Sequence, residues 1–428
     1  MRDGGRIAAS IEILTDIETR HRPARLALKG WGEASRFAGS KDRAWISGLV
    51  LDVLRRRRSL GWRMGEAAPR AGALAALHFD WGWPLDRIAA ACEGEHGPGA
   101  LSLEELAALE TPRSLSEASP AVRGDYPDWL DASFERAFGE ARAEEGAALA
   151  ERAPVDLRIN TLKTDPVRAL KALTPLHAET VEMLPTALRI AAPDPAERAG
   201  SVETIPAFSK GWFEVQDLGS QIAASVAGEI KGKQVLDLCA GGGGKTLALA
   251  AAMANTGQIY AYDSEARRLA DTIRRADRAG VRNLQIRSPV NPDPLAGLEG
   301  RMEVVFIDAP CSGSGSWRRH PDTKWRLSEE TLARRMADQD AVLDMGATFA
   351  KAGGRLIYVT CSVLPQENED RVAAFLARNG AYRARPASAD PALTQYLTPQ
   401  GYLRLSPRTS ATDGFFVAVL ERASDPKA

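Results

Sequence analysis

The chain has 428 residues, more than one typical domain holds, and its 44% hydrophobic and 26% charged content excludes the disordered and fibrous classes. A formal net charge of −1 supplies no global field for nucleic acid, so any polyanion must be met by a local basic surface. The cysteines at 92, 239, 311 and 361 lack the spacing of a disulfide scaffold or a Cys-x-x-Cys metal pair; no metal is expected, and a reducing cytoplasm fits them.

The first twenty residues carry charges where an export signal needs an unbroken apolar stretch, and no run of about 18 apolar residues marks a membrane span. Residues 1–140 are rich in Ala, Leu, Arg and Glu, with apolar positions at helical spacing: Ile7, Ile11 and Leu14, then Ile46, Leu49, Val50, Val53 and Leu54. Breaks at Gly61, Pro69, Pro84, Gly97-Pro98-Gly99, Pro112 and Pro120 divide this region into helices of ordinary length, which predicts an all-helical bundle. Over 141–210 the pattern changes to short alternating runs, Val155 to Asn160 and Ala187 to Ile190, separated by Pro and Gly, which predicts a small α+β segment.

From 211 to 428 strand-like runs alternate with helical ones. Strands are expected at 235–238, 259–262, 304–307 and 356–359, with helices near 244–254, 264–279, 328–351 and 366–379 and a closing strand at 415–420. This alternation predicts an α/β domain with a doubly wound, Rossmann-like parallel sheet covered by helices on both faces.

Strand 235–238 runs into Cys239-Ala240-Gly241-Gly242-Gly243-Gly244-Lys245-Thr246 and an apolar helix. Glycines let a ligand approach the backbone, and the helix start offers unpaired N–H groups, so a nucleotide-like cofactor is the expected guest of this loop. Asp263, at the end of the next strand, stands where an acidic residue accepts hydrogen bonds from ribose hydroxyls in doubly wound folds. The competing reading is a plain glycine turn with Asp263 capping the next helix. This loop and acid do not by themselves distinguish adenosylmethionine from a nicotinamide cofactor, and the Lys-Thr lacks the full frame of a P-loop.

The third strand ends in Asp308-Ala309-Pro310-Cys311-Ser312-Gly313 and the fourth in Thr360-Cys361-Ser362-Val363. In an open parallel sheet, ligands bind beyond the carboxyl ends of the strands, so both thiols are expected at the mouth that holds the glycine loop. A thiol beside a methyl donor suits methylation of cytosine at carbon 5. That carbon is a poor nucleophile until a thiolate adds to carbon 6, and a second cysteine can assist the later elimination. An acid near ring nitrogen 3, for which Asp308 is the candidate, would stabilise charge developing on the ring. Cys92 and Cys239 read as small buried hydrophobes. A disulfide between Cys311 and Cys361 is disfavoured in a reducing compartment.

Taken together, these segments resemble the Rsm/Nop2/Sun family of RNA 5-methylcytosine methyltransferases, and within it the branch acting on 16S ribosomal RNA. The resemblance rests on Arg158 to Lys163, Val215 to Gln221, Leu236 to Thr246, Asp308 to Gly313, Arg318 to Asp322, Thr360 to Glu369 and Asp413 to Phe416. It implies S-adenosyl-L-methionine as cofactor, contacts from residues 239 to 245, Asp263 and Asp308, Cys361 as nucleophile and Cys311 as the residue promoting release. It also implies that residues 1–140 are similar to the antitermination factor NusB. The glycine loop departs from the family's usual Ala-Ala-Pro-Gly-Gly, and the segment Ile286 to Pro292 lacks the acidic residue that often follows the third sheet strand.

The expected partner is RNA, met as an unpaired loop because carbon 5 chemistry requires the base out of its stack. Arg158, Arg318, Arg319 and Lys324 are the candidate RNA contacts, with Arg55 to Arg58 and Lys163 as further basic surface, and Trp317 and Trp325 available for stacking. Lys245, Arg318, Arg319 and Lys324 are the possible sources of the positive charge that activates the thiol. A monomer is expected. The competing functions are the same chemistry on tRNA or another RNA, a nicotinamide-dependent oxidoreductase, which leaves both thiols without a role, and a catalytically silent RNA-binding factor.

Overall fold

The computed structural model describes residues 1–192 and 201–424, which form two compact units. One comprises Met1–Arg152, Ala192 and Ser316–Leu327; the other comprises residues 153–191, 201–315 and 328–424. Among the described residues no helix is long and apolar enough to cross a membrane.

The first unit is entirely helical. Its principal helices are Asp3–Arg20, Ala24–Ala34, Ser40–Arg55, Arg57–Met64, Pro69–Ala75, Leu85–Glu93, Leu103–Glu110, Asp131–Phe138 and Arg142–Leu149, so helix continues past residue 140. Ile7, Leu14, Ile46, Leu49, Val50, Val53 and Leu54 meet in one core, as their spacing requires, with Ile11 packed against it. Pro69 and Pro120 open helices at the first turn, where a missing N–H costs nothing, and Pro84 is an N-cap. Gly61 does not break the chain. It lies inside Arg57–Met64 packed near Ala67, and the stop falls at Gly65, whose φ of 79° is the left-handed cap that glycine adopts without strain.

The excursion Ser316–Leu327 is part of this unit's interior. Trp317 stacks on Phe134 at 6.0 Å, Lys324 Nζ donates to the Arg55 carbonyl at 2.9 Å, and Trp325 Nε1 donates to the Leu54 carbonyl at 2.6 Å.

In the second unit, β1 (Val155–Ile159), β2 (Glu179–Thr180), β3 (Ala187–Ile190) and β4 (Phe213–Val215) form an antiparallel sheet of order β2-β3-β1-β4. Its last strand lies beyond residue 210, so this layer takes a segment from the region read as the start of the large α/β domain.

The larger sheet contains β5 (Gln234–Asp237), β6 (Gln258–Tyr262), β7 (Leu284–Arg287), β8 (Met302–Asp308), β9 (Ala350–Thr360), β10 (Tyr382–Arg385) and β12 (Phe415–Arg422), in the order β10-β12-β9-β8-β5-β6-β7, with β11 (Leu403–Leu405) on β12. Strands β5 to β9 pair in parallel and β12 closes against β9 antiparallel. Val304 and Phe306 of β8 enter one core, with Leu218, Ile222, Leu249 and Met253 from the helices Leu218–Ser225 and Gly244–Ala252 and the turn after them. Val305 and Ile307 enter the other, with Leu343, Val372 and Phe375 from Glu329–Phe349 and Glu369–Arg378. Burial of alternate residues on opposite faces is the Rossmann-like arrangement that the continuous apolar strands predict. The order reverses at β5 and β8, and this switch point opens the crevice above their carboxyl ends.

Candidate active site

Above the switch point lies a cleft of about 500 Å³, and Cys239, Ala240, Gly241, Gly242, Gly244, Lys245, Asp263, Asp308, Cys311 and Cys361 all line it. Gly243 is the one expected cofactor residue outside the lining. Its φ is 82°, and a Cβ there would lie 2.7 Å from Thr272, so it makes the turn and leaves contact to its neighbours.

The loop is held from below. Thr272 Oγ1 donates to the Gly241 carbonyl at 3.0 Å, and Arg275 donates to the Gly242 carbonyl while its other nitrogens reach Glu214 on β4 at 3.0 and 3.1 Å. Both side chains come from the helix Ala266–Ala279. Asp263 Oδ2 accepts the Gly241 N–H and Oδ1 the Glu265 N–H, each at 2.9 Å. The carboxylate therefore ties the loop to the next helix and still lines the cleft, with lone pairs left for ribose hydroxyls. Capping and ligand contact are both within its reach.

None of the residues Ser288 to Pro292, the segment immediately after β7, lines the cleft. Val342 and Met345 of the helix Glu329–Phe349 form an apolar wall, and Tyr262 also lines the cleft, which suits a flat base without an acidic partner.

The two catalytic candidates meet. Cys311 Sγ and Cys361 Sγ stand 3.4 Å apart, and both are unbridged and half-buried. The hydrogen bond to Cys361, then burial, push the Cys311 thiol well above its ordinary range, so Cys311 keeps its own proton. Lys245 Nζ lies 2.7 Å from Asp308 Oδ2. Burial opposes the charge on Lys245, but Asp308, with help from Cys361, outweighs it and holds the ammonium above its usual range. In this pair the proton sits on Lys245, and Asp308 lines the cleft beside it. Beneath them Asp237, on β5, is fully buried; burial raises it to about 7, although Thr246 donates to it at 2.6 Å. Burial pushes the Cys239 thiol up and keeps it neutral.

The basic residues expected at RNA are placed differently. Lys324 is 1% exposed and Arg318 4% exposed within the helical unit, and Arg158 is 5% exposed on β1, its Nε donating to Gln216 Oε1 at 2.7 Å. Side chains with these positions hold the interior together and do not present charge to a polyanion; Arg319 is half-buried. The stacking candidate Trp317 is buried at 1% exposure. The arginine run is consumed by carboxylates: Arg55 with Asp52, Arg56 with Asp80, Arg57 with Glu18 and Arg58 with Asp128. Of the possible thiol activators, Lys245 lines the cleft with Cys361.

Three participants had no individual signal in the sequence. Glu367 and Gln339 hold the cysteine loops, and Gln216 lines the cleft. Gln216 and Glu367 lie within the motif segments named above, which mark the neighbourhood and leave the particular role open.

The doubly wound sheet, the glycine loop and the cysteine-bearing strand ends define a methyltransferase of Rossmann-like fold. Residues 227–421 match the family model described as 16S rRNA methyltransferase RsmB/F, and residues 126–197 match the ferredoxin-like domain of RsmF/B-like methyltransferases. A probable ribosomal RNA small subunit methyltransferase B of Synechocystis sp. is 34% identical over 89% of this chain and 92% of its own length. Ribosomal RNA small subunit methyltransferase B of Pectobacterium carotovorum is 31% identical over 90% and 92%. A solved methyltransferase homolog protein from Pyrococcus horikoshii superposes with a TM-score of 0.60 at 25% identity, covering 72% of this chain and all of that one. The chain belongs to the RsmB/F family of 16S ribosomal RNA methyltransferases.

Proposed function

We propose that this protein methylates carbon 5 of a cytosine in 16S ribosomal RNA through a covalent bond between Cys361 and carbon 6, acting as a cytoplasmic monomer. The observation carrying this reading is the 3.4 Å contact between two unbridged sulfurs in a cleft that also contains the glycine loop and Asp263. S-adenosyl-L-methionine, when bound, supplies the electrophilic methyl group. The residues present fit it: Asp263 for ribose hydroxyls, the loop backbone from 239 to 245 for the amino-acid end, and Val342 and Met345 for the base.

Cys361 attacks as thiolate, helped by the Lys245 ammonium, and its bond to carbon 6 moves an electron pair toward carbon 5. Asp308 accepts a hydrogen bond from the exocyclic amine of the ring, and Lys245 offsets charge gathering near it. After methyl transfer water takes the carbon 5 proton, the ring electrons expel Cys361, and Cys311 donates its S–H to the departing sulfur and recovers a proton from solvent.

The test is a pair of variants incubated with RNA and labelled methyl donor. Cys361→Ala is expected to abolish transfer and adduct, whereas Cys311→Ala accumulates a protein–RNA adduct visible as a shifted band on a denaturing gel. Transfer by Cys361→Ala at the parental rate would refute the mechanism.

A further inference from the structure

The residues after the two cysteines converge on one carboxylate. Glu367 is fully buried, and its Oε1 accepts the Ser312 N–H at 2.7 Å and Gln339 Nε2 at 3.0 Å. Its Oε2 accepts the hydroxyls of both Ser312 and Ser362. Ser312 follows Cys311 and Ser362 follows Cys361, so one side chain grips the chain immediately beyond each sulfur. Gln339 also donates to the Pro310 carbonyl at 2.9 Å, fixing the residue before Cys311. Asn368 Nδ2 donates to the Ser362 carbonyl at 2.9 Å, and the Gly315 N–H donates to the Cys361 carbonyl at 2.9 Å.

All four donors to Glu367 are uncharged. A buried carboxylate is costly, and a purely structural clamp could be built from neutral groups. What a carboxylate adds is four acceptor sites on two atoms and a negative charge beside one of the two thiols.

We propose that Glu367 is the positioning residue of this site, clamping the loops after β8 and β9 so that the two sulfurs stay in contact and assume different roles. The proposal rests on the covalent reading above. The carboxylate disfavours a thiolate at Cys311, which joins the hydrogen bond to Cys361 in leaving the proton on Cys311. Cys361 is thereby the sulfur free to attack, and Cys311 the one that keeps a hydrogen to return.

The proposal is tested with phenylarsine oxide, whose arsenic exchanges its oxygen for two thiols and releases water, and which therefore captures only paired sulfurs. The wild type is expected to bind one arsenical per chain and Cys311→Ser none. Glu367→Ala should lose this capture and about 100-fold in kcat, the scale set by displacing reacting groups by an ångström, with adenosylmethionine affinity held within about twofold. Glu367→Gln retains one acceptor for the Ser312 N–H and Gln339, and its NH2 can donate to the rotatable serine hydroxyls, so capture returns. With the charge gone, alkylation of Cys311 by iodoacetamide should reach its midpoint at lower pH in Glu367→Gln than in the parent. Should Glu367→Ala not fold, Gln339→Ala removes one donor from the same carboxylate and is expected to reduce capture. Full capture and parental kcat in Glu367→Ala, or in Gln339→Ala where that variant stands in, would overturn the proposal, as would an unmoved alkylation midpoint in Glu367→Gln. Capture does not depend on methyl transfer. A wild type that binds the arsenical but forms no RNA adduct would overturn the covalent reading and leave the clamp standing.

Discussion

Lys245→Met removes the ammonium paired with Asp308 while nearly keeping side-chain length. The Lys245 side chain is 10% exposed and that of Asp308 32%, with 2.7 Å between Nζ and Oδ2. Losing one charged hydrogen bond costs about 1.5–3 kcal/mol, and stranding one partner of a fully buried pair about 3–5. Because a third of Asp308 remains in solvent, the lower range applies, and about 2 kcal/mol is expected. For a unit of this size that lowers Tm by about 4–8 °C. The pH dependence follows from the sign of the shift. Lys245 holds its proton more tightly folded than unfolded, so its contribution is fully present below the unfolded value of about 10.4 and is lost as pH rises through the higher folded one. Thermal melts of parent and variant should therefore stay separated by a constant gap from pH 7 to 9, closing only in stronger alkali. Without the ammonium beside Cys361, the rising limb of the methyl-transfer rate should also move to higher pH. A variant melting within about 1 °C of the parent, with an unmoved rate profile, would refute the assignment of Lys245 as a working counter-ion.

Two further outcomes are expected. Gly243→Ala must place a Cβ at φ 82° and 2.7 Å from Thr272, costing about 1–2 kcal/mol for the left-handed backbone and about 1–3 for the forced shift; calorimetry should find weakened adenosylmethionine binding, and parental affinity would count against the turn's role. Burial lowers the Lys324 ammonium to about 8 despite Asp125, so the unfolded chain binds the extra proton between that value and about 10.4, and stability rises with pH across this window. Urea melts followed by tryptophan fluorescence should register that rise in the parent and a flatter profile in Lys324→Met; parallel profiles would mean that Lys324 is not buried as described.

The sequence by itself determined the alternation of strands and helices from 235 onward, because apolar spacing with periods of two and 3.6 is a local property. It also placed Cys311, Cys361 and Asp263 at one edge, since the carboxyl ends of parallel strands share a side of the sheet. Only the tertiary structure decided what the charged residues do. Lys324, Arg318 and Arg158 look alike as basic residues near motifs, yet each is buried, and the partners of Lys324 and Arg158 are distant in sequence, at Arg55 and Gln216. Glu367 likewise looks like any acidic residue until folding brings Ser312 within 2.7 Å of it. A local pattern states which side chain can be buried, whereas the cost of burying a charge depends on partners that only the folded chain assembles.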